Sequence, residues 1–527
     1  MNIPKHRLSI FLAFLTSLFL ILSFPKYDLS FFSWIALVPL LFIIQRMRWL
    51  KAFVLSWMVG LISFMGIFIW INQVKGYSAI YFLFSGLYLW IYFGLFGLFS
   101  RLFDYRRFFY PVLVALVWVI LEYARSNLFF LSLPWALLGQ TQYKNINLIQ
   151  ISAYTGVYGI SFLVALVNSS IAVILSHLIF SGKLEKKGVG FFCYHLSPIL
   201  LVLLISFWGR SVQKNNNISG SVRVGLVQGN IPQDIKWNKE TFGWSFERYK
   251  ALTKDLAEAH PSLIIWPETA MPLDFHSSPW YLWRILALAR EIDVPIILGA
   301  AGAAKIEKSD DRSKGIYNSA FYISSQGKMS GEYQKIKLLP FGEYIPSIGK
   351  FSLSFLTPGL TGKFIAGSKE KIFPLNEKPF GVTICWEGIF ADLFRRFVSK
   401  GASFMVNISN DAWFKDSAGP YQHFVCNIFR AVENRISIAR VSNTGISCII
   451  DPFGRVIKKV ENKNGEHLNI TGVVCDDMPL YQGATFYTKY GDIFVIFCIT
   501  LFSLALVFKF TKYICFSRTR SKKVDKI

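Results

Sequence analysis

The sequence predicts two structural classes in one chain, a bundle of membrane-crossing helices and an extracytoplasmic α/β domain. Three observations carry that expectation. The 527 residues are 53% hydrophobic and 17% aromatic, with a mean hydropathy of +0.40, more apolar than soluble chains usually are. Apolar stretches approaching the ~20 residues that cross a ~30 Å hydrocarbon core crowd the N-terminal part, and one more lies near the C terminus. Between them, from Ser221 to about Met478, short β-rich runs alternate with helical or loop segments.

The stretches place spans near Leu8 to Ser23, Leu29 to Ile44, Phe53 to Ile71, Ala79 to Phe99, Pro111 to Leu121, Tyr154 to Phe180, Pro198 to Trp208 and Ile493 to Phe508, eight in all. The first has a basic start and an apolar core, as a cleaved leader would. Ser23-Phe24-Pro25-Lys26 lacks a small-x-small cleavage pattern, however, and another span follows at once, so an uncleaved helix is expected. The domain organisation read from this is a seven-helix membrane domain over 1–212, an α/β domain over 220–484, and a last helix with a basic tail over 490–527.

Alternate gaps between spans are basic: Lys5 and Arg7, then Arg46, Arg48 and Lys51, then Arg101, Arg106 and Arg107, then Lys183, Lys186 and Lys187, and finally the tail from Lys509 to Lys526. Cytoplasmic loops collect Lys and Arg, which places both termini in the cytoplasm and the middle domain outside. These loops supply most of the net charge of +24, so topogenic charge and attraction to anionic membrane lipids account for it, and a nucleic-acid partner is not required. The spans themselves are nearly free of charge, with Glu122 at an edge, which disfavours a transporter.

Seven cysteines show no CxxC spacing and no paired ligand pattern, so neither zinc nor another metal is expected. Cys193, Cys498 and Cys515 fall in or near spans. Cys385, Cys426, Cys448 and Cys475 lie where disulfides form, and a bridge among the last three stays open.

In the middle domain, Val222 to Gln228, Leu263 to Trp266, Pro295 to Gly299, Asn318 to Ile323, Gly381 to Cys385, Phe404 to Ile408, Ile438 to Val441 and Ile446 to Ile450 read as strands. Several are continuously apolar, the mark of strands buried on both faces. Helices are expected over Trp244 to Ala259, Trp280 to Glu291, Ile389 to Val398 and Tyr421 to Ile436. That alternation argues for an α/β sandwich.

Three motifs carry chemistry. Phe380-Gly-Val-Thr-Ile-Cys-Trp-Glu-Gly388 delivers Cys385 from a β-branched run to a tight turn. Ile264-Ile-Trp-Pro-Glu268 sets a carboxylate where a strand ends, and Lys335-Ile-Lys-Leu-Leu-Pro-Phe-Gly-Glu343 supplies an ammonium and a second carboxylate within Tyr333 to Pro346, a segment with too many Pro and Gly for a helix that should be an ordered loop. A thiol nucleophile, a carboxylate to take its proton and a cation to steady an oxyanion form the inventory of thiol acyl chemistry. Each motif alone would pass for a strand end or a solvated surface charge; together they name a reaction class.

The order Glu, Lys, Cys resembles the nitrilase superfamily, and with the flanking apolar spans the chain is similar over nearly its whole length to the bacterial apolipoprotein N-acyltransferase family. The resemblance implies a four-layer αββα sandwich on the outer, periplasmic side of the inner membrane, and no cofactor. It implies that Glu268 is the general base, that Lys335 stabilises the oxyanion with Lys337 as its natural control, and that Cys385 is the nucleophile. Glu343 would position Lys335, and Glu387 matches a family glutamate beside the nucleophile. Trp386 departs from the tyrosine often found there, although its backbone N–H could still face the oxyanion.

Asn407-Ile-Ser-Asn-Asp-Ala-Trp-Phe414 and Gly419-Pro-Tyr-Gln-His423 also match the family. They place Asn410, Trp413 and Phe414 near a substrate cleft, with acyl-chain contact and core packing both open for Trp413. His423 raises a Cys-His pair, which the complete Glu-Lys-Cys set disfavours. Trp237 matches an aromatic on a loop over the entrance. Pro134-Trp-Ala-Leu-Leu-Gly-Gln140 reads as an apolar loop at the lipid interface.

The implied partners are a phospholipid acyl donor and a diacylglyceryl apolipoprotein acceptor. Competing readings are an amidohydrolase that uses water and a lipid-binding or transport protein with an inactive domain; headgroup, acyl length, sn position and oligomeric state are not legible.

Overall fold

In a computed structural model, residues 6–82, 88–128, 131–180, 188–214, 217–236, 238–275, 278–303, 315–348, 351–356 and 364–524 are described. The N-terminal part contains helices α1 (His6–Ser23), α2 (Val38–Ile44), α3 (Trp49–Ile67), α4 (Ser78–Ile80), α5 (Leu89–Arg101), α6 (Tyr110–Asn127), α7 (Ile146–Ile149), α8 (Ser152–Thr155), α9 (Val157–Phe180) and α10 (Val189–Lys214). Among the described residues, four helical stretches, Trp49–Ile67, Val157–Phe180, Val189–Lys214 and Ile493–Thr511, are long and apolar enough to cross a membrane; Arg7–Ser23, Ser30–Ile44 and Leu89–Arg101 are apolar but shorter. The expected span from Tyr154 begins instead at Val157, because Gly156 turns the chain at φ +63°.

Helix α6 runs past the expected end at Leu121, so Glu122 lies inside it rather than at an edge. It is buried with Arg125, and both serve the loop that follows. Arg125 donates to the carbonyls of Leu133, Trp135 and Ala136, and Glu122 accepts the Leu138 N–H at 2.6 Å. That loop, expected at the lipid interface, is buried instead, with Trp135 only 2% exposed. Its backbone polar groups are satisfied by the α6 pair, which lets it pack inward.

The middle domain holds strands β1 (Ile218–Gln228), β2 (Leu263–Ile265), β3 (Met271–Asp274), β4 (Ile296–Ala303), β5 (Ile316–Ile323) and β6 (Met329–Gln334), then a small hairpin of β7 (Ser347–Ile348) and β8 (Phe351–Ser352). These are followed by β9 (Ile372–Phe373), β10 (Phe380–Ile384), β11 (Phe404–Ser409), β12 (Ile438–Ser442), β13 (Cys448–Ile450), β14 (Val456–Lys459) and β15 (Gly472–Tyr481). One sheet runs β15-β1-β2-β4-β5-β6, with β3 beside β4, and the other runs β14-β13-β12-β11-β10-β9. Within them β1, β2 and β4 are parallel, as are β10, β11 and β12.

The period of two explains the apolar runs. Leu263, Ile265 and Ile297 join Val382, Ile384 and Val406 in a core between the sheets, whereas Ile264, Ile296 and Leu298 join Phe246, Leu256 and Ile285 beneath helices α11 (Phe242–Ala257) and α12 (Pro279–Ile292). Helices α13 (Ala391–Ser399) and α14 (Gly419–Asn434) pack against the second sheet, and α15 (Phe486–Tyr490) leads into α16 (Ile493–Val524).

Strands β3, β6, β7, β8, β9, β14 and β15 were not expected. β14 is mostly exposed and β15 alternates, carrying Asp476 and Asp477, so neither presents an apolar run. Cys426, Cys448 and Cys475 are all free, which closes the question of a bridge among them.

The helix α14 side chain Gln422 ties the two parts together. Its Oε1 accepts from the indoles of Trp70 and Trp135, both at 3.0 Å, and its Nε2 donates to the carbonyls of Pro25 and Ile67.

Candidate active site

The site forms where several strands end. Glu268 follows β2, Cys385 follows β10 and Asn410 follows β11, in keeping with ligand sites outside the carboxyl ends of parallel strands, and Lys335 joins them from the end of the antiparallel β6. Pro267 takes the chain out of the sheet before Glu268, while the Trp266 indole, bonded to Thr253 at 2.9 Å, anchors the strand end. Lys335 is fixed by its backbone, donating to the Asn318 carbonyl and accepting from Gly367. Residues from Lys335 onward form the expected loop, but Tyr333 and Gln334 belong to β6.

Lys335 is 1% exposed. Its Nζ lies 2.9 Å from Glu343 Oε1 and 3.4 Å from Glu268 Oε1. Burial alone would lower its pKa, but the carboxylates of Glu343 and Glu268 outweigh that and hold the ammonium above its ordinary value. Asn318 completes the group, its amide donating to Glu268 at 2.8 Å and to Glu343 at 2.7 Å. One cation and one amide thus keep two buried carboxylates apart.

Cys385 opens a 3-10 turn with φ +51°, a left-handed conformation uncommon for a residue with a side chain. Burial pushes its thiol up and the Glu268 carboxylate adds to this, with Lys335 opposing. The resting group is therefore a thiol, and a thiolate there would have to be made by proton transfer. Below the turn, Glu387 accepts from the Tyr333 hydroxyl and from the N–H groups of Ile336, Lys337 and Ile384. Burial raises it to about 7 against those donors. It ties the Cys385 turn to the lysine loop and does not line the cavity. Lys337 turns away, its Nζ over the Phe390 ring at 5.2 Å.

Glu268, Lys335, Glu343, Cys385, Trp386, Asn410, Trp413 and Phe414 all line one mostly apolar cavity of about 200 Å³, whose opposite wall comes from Trp70, Ile71, Leu133 and Trp135 of the N-terminal part. Trp413 is 41% exposed, so it lies at the cavity rather than in a core. Phe414 meets Trp70 edge-on at 4.8 Å. Asn410 donates to Gln233 and accepts from Asn443, fixing the loop after β1. Trp237, expected on that loop, falls outside the described residues.

Two residues escaped the sequence reading. Asn318 sat unmarked inside an expected strand. Lys236, 1% exposed, donates to the Glu268 carbonyl at 3.2 Å; nothing in a loop sequence distinguishes such a lysine from a solvated one. Burial lowers it from 10.5 to about 7, with Glu268 and Cys385 opposing. Between those values the unfolded chain binds a proton that the native chain does not, so stability rises with pH across that window. Thermal unfolding from pH 7 to pH 9 should show a rise in Tm for the wild type that Lys236→Met lacks.

The Cys385 thiol, Asp411 and His423 lie within 4.8 Å of one another. Asp411 is already bound by Ser409, His423 and Arg440. A guanidinium in contact with the carboxylate makes the trio a poor cation site and a good hydrogen-bond relay.

Residues 16–170 match the family described as the apolipoprotein N-acyltransferase N-terminal domain, and residues 223–479 match carbon-nitrogen hydrolase. The apolipoprotein N-acyltransferase of Geobacter metallireducens is 36% identical over 510 residues, covering 93% of this chain and 92% of that one. This chain belongs to the apolipoprotein N-acyltransferase family. The Aquifex aeolicus member is 32% identical, with 84% of this chain and 93% of that one covered. A nitrilase-superfamily amidase from Nesterenkonia AN1 aligns with a TM-score of 0.37 and 15% identity, covering 50% of this chain and 93% of that one. As an apolipoprotein N-acyltransferase family member the chain is an acyltransferase of lipoprotein N-acylation, with a nitrilase-superfamily domain bearing the site just described.

Proposed function

We propose that a phospholipid acylates Cys385 and that the acyl chain passes to the α-amine of an S-diacylglyceryl cysteine at a lipoprotein's N terminus. The observation that carries this reading is the shared cavity, in which the Glu268-Lys335-Cys385 group faces an apolar wall built by the membrane part. Glu268 takes the thiol proton, the thiolate attacks the ester carbonyl, and the oxyanion is met by Lys335 and the Trp386 N–H. Collapse expels lysophospholipid, which takes the proton from Glu268. The acceptor amine then attacks the thioester, Glu268 accepts a proton from the nitrogen, and Cys385 leaves to be reprotonated. An apolar chamber keeps water from the intermediate, which favours an amine over water as acceptor.

The same reading includes eight crossings, the short helices among them, both termini in the cytoplasm, and a periplasmic catalytic domain over 220–484 in αββα layers. Packing of α11 and α12 on one sheet and of α13 and α14 on the other supports the layering.

Intact-mass spectrometry after incubation with phospholipid tests it. A hydroxylamine-sensitive acyl adduct is expected, discharged by a diacylglyceryl-cysteine peptide that gains an amide-linked acyl chain. Discharge to free fatty acid with the peptide unmodified would identify a hydrolase, and no adduct at all would overturn the nucleophile assignment.

A further inference from the structure

We infer that His423 is a positioning residue for the reaction, holding the nucleophile turn through the Cys385 carbonyl; this rests on the thioester reading above. His423 is 1% exposed, and its Nε2 lies 3.1 Å from the Cys385 carbonyl oxygen. A carbonyl can only accept, so Nε2 carries the hydrogen and has no lone pair for the thiol. The residue is therefore not the base of a Cys-His pair.

Behind it runs a buried chain. Nδ1 meets Asp411 Oδ1 at 2.9 Å, Asp411 Oδ2 accepts from Arg440 at 2.8 Å, and Arg440 donates to Asn407 Oδ1. The Asn407 amide reaches the Cys385 carbonyl as a second, longer donor at 3.5 Å. The relay therefore closes on the carbonyl it supports. A left-handed residue with a side chain persists only when its surroundings over-determine it, and two donors on one carbonyl supply that constraint. The next amide, Trp386 N–H, is the one that must face the oxyanion, so its aim depends on the same carbonyl.

The ring plane is set from the other half of the protein. Trp135 stacks on His423 with centroids 5.2 Å apart and planes 18° from parallel, while its indole bonds to the neighbouring Gln422. Seating of the membrane-side wall and geometry of the nucleophile turn are thereby joined through one imidazole.

Two variants separate this role from general packing. His423→Gln keeps an N–H at the Nε2 position, whereas His423→Asn keeps an amide near Nδ1 and loses the donor to Cys385. Acyl-enzyme formation under saturating phospholipid should fall about 100-fold in His423→Asn, the order expected for a misplaced reacting group, and about tenfold or less in His423→Gln. Their Tm values should match each other, and the phospholipid KM should be unchanged. Alkylation of Cys385 by iodoacetamide follows the thiol without any acyl chemistry and should slow in the same order. Equal losses in both variants, or wild-type rates in His423→Asn, would overturn the inference. Absence of an adduct in the wild type would instead overturn the thioester reading.

Discussion

Cys385→Ala should abolish the acyl adduct and lower N-acylation by at least about 10⁴-fold, because groups that act as a unit lose nearly everything when the nucleophile goes. The substitution removes one sulfur from a turn held by Glu387 and His423, so the fold should survive, and Tm should stay within a few degrees of wild type. Cys385→Ser adds a sharper test. Its hydroxyl is a far weaker acid than a thiol, and a single carboxylate such as Glu268 cannot generate the alkoxide, so the adduct should be absent by intact mass even after long incubation. An adduct on Cys385→Ala would move the nucleophile elsewhere and undo the assignment of the three motifs.

Lys335→Met should have the second largest effect, a loss of about 10³-fold in acyl-enzyme formation. Removing one preorganised donor to an oxyanion costs about 10²–10³-fold, and here the same ammonium also separates Glu268 from Glu343. Without it two buried carboxylates share only the Asn318 amide, and breaking a buried charge group costs about 3–5 kcal/mol of stability. The variant should therefore lose Tm as well as rate, which Cys385→Ala should not. Lys337→Met, two residues away, removes only a charge resting over Phe390, and its rate should stay within about threefold of wild type. Equal losses at both lysines would mean that the loop, not the Lys335 charge, matters.

Much of this site was legible because its chemistry is local in sequence. Cys385 and Glu268 each sit one to three residues past a strand whose apolar run announces it, Lys335 stands out by its Lys-x-Lys-x-x-Pro-x-Gly-Glu motif, and the strand ends then bring the three together. Asn318 and Lys236 were illegible for the opposite reason. Their importance comes from partners 50 and 32 residues away, which no local pattern encodes. Strand β15 was missed because its pairing with β1 makes a strand of residues that alternate with Asp476 and Asp477. The Pro134–Gln140 loop was placed at the lipid interface because its composition is that of an interfacial segment, and only the buried Glu122 and Arg125 could reverse that reading.

The four hydrogen bonds of Gln422 bear on how this protein can be taken apart. A catalytic domain cut free between α10 and β1 and again before α15 would carry α14 with it, and with α14 an amide whose oxygen and nitrogen have all lost their partners. Beside that amide the stacked face of His423 would be uncovered, and the cavity wall that faces Trp70, Leu133 and Trp135 would become solvent-exposed surface. The excised piece would thus be sticky at the very spot where its chemistry resides. A soluble fragment for assay or crystallisation would need a replacement for the Trp70 and Trp135 segments, and the boundary that looks natural in the chain is not a boundary in the chamber.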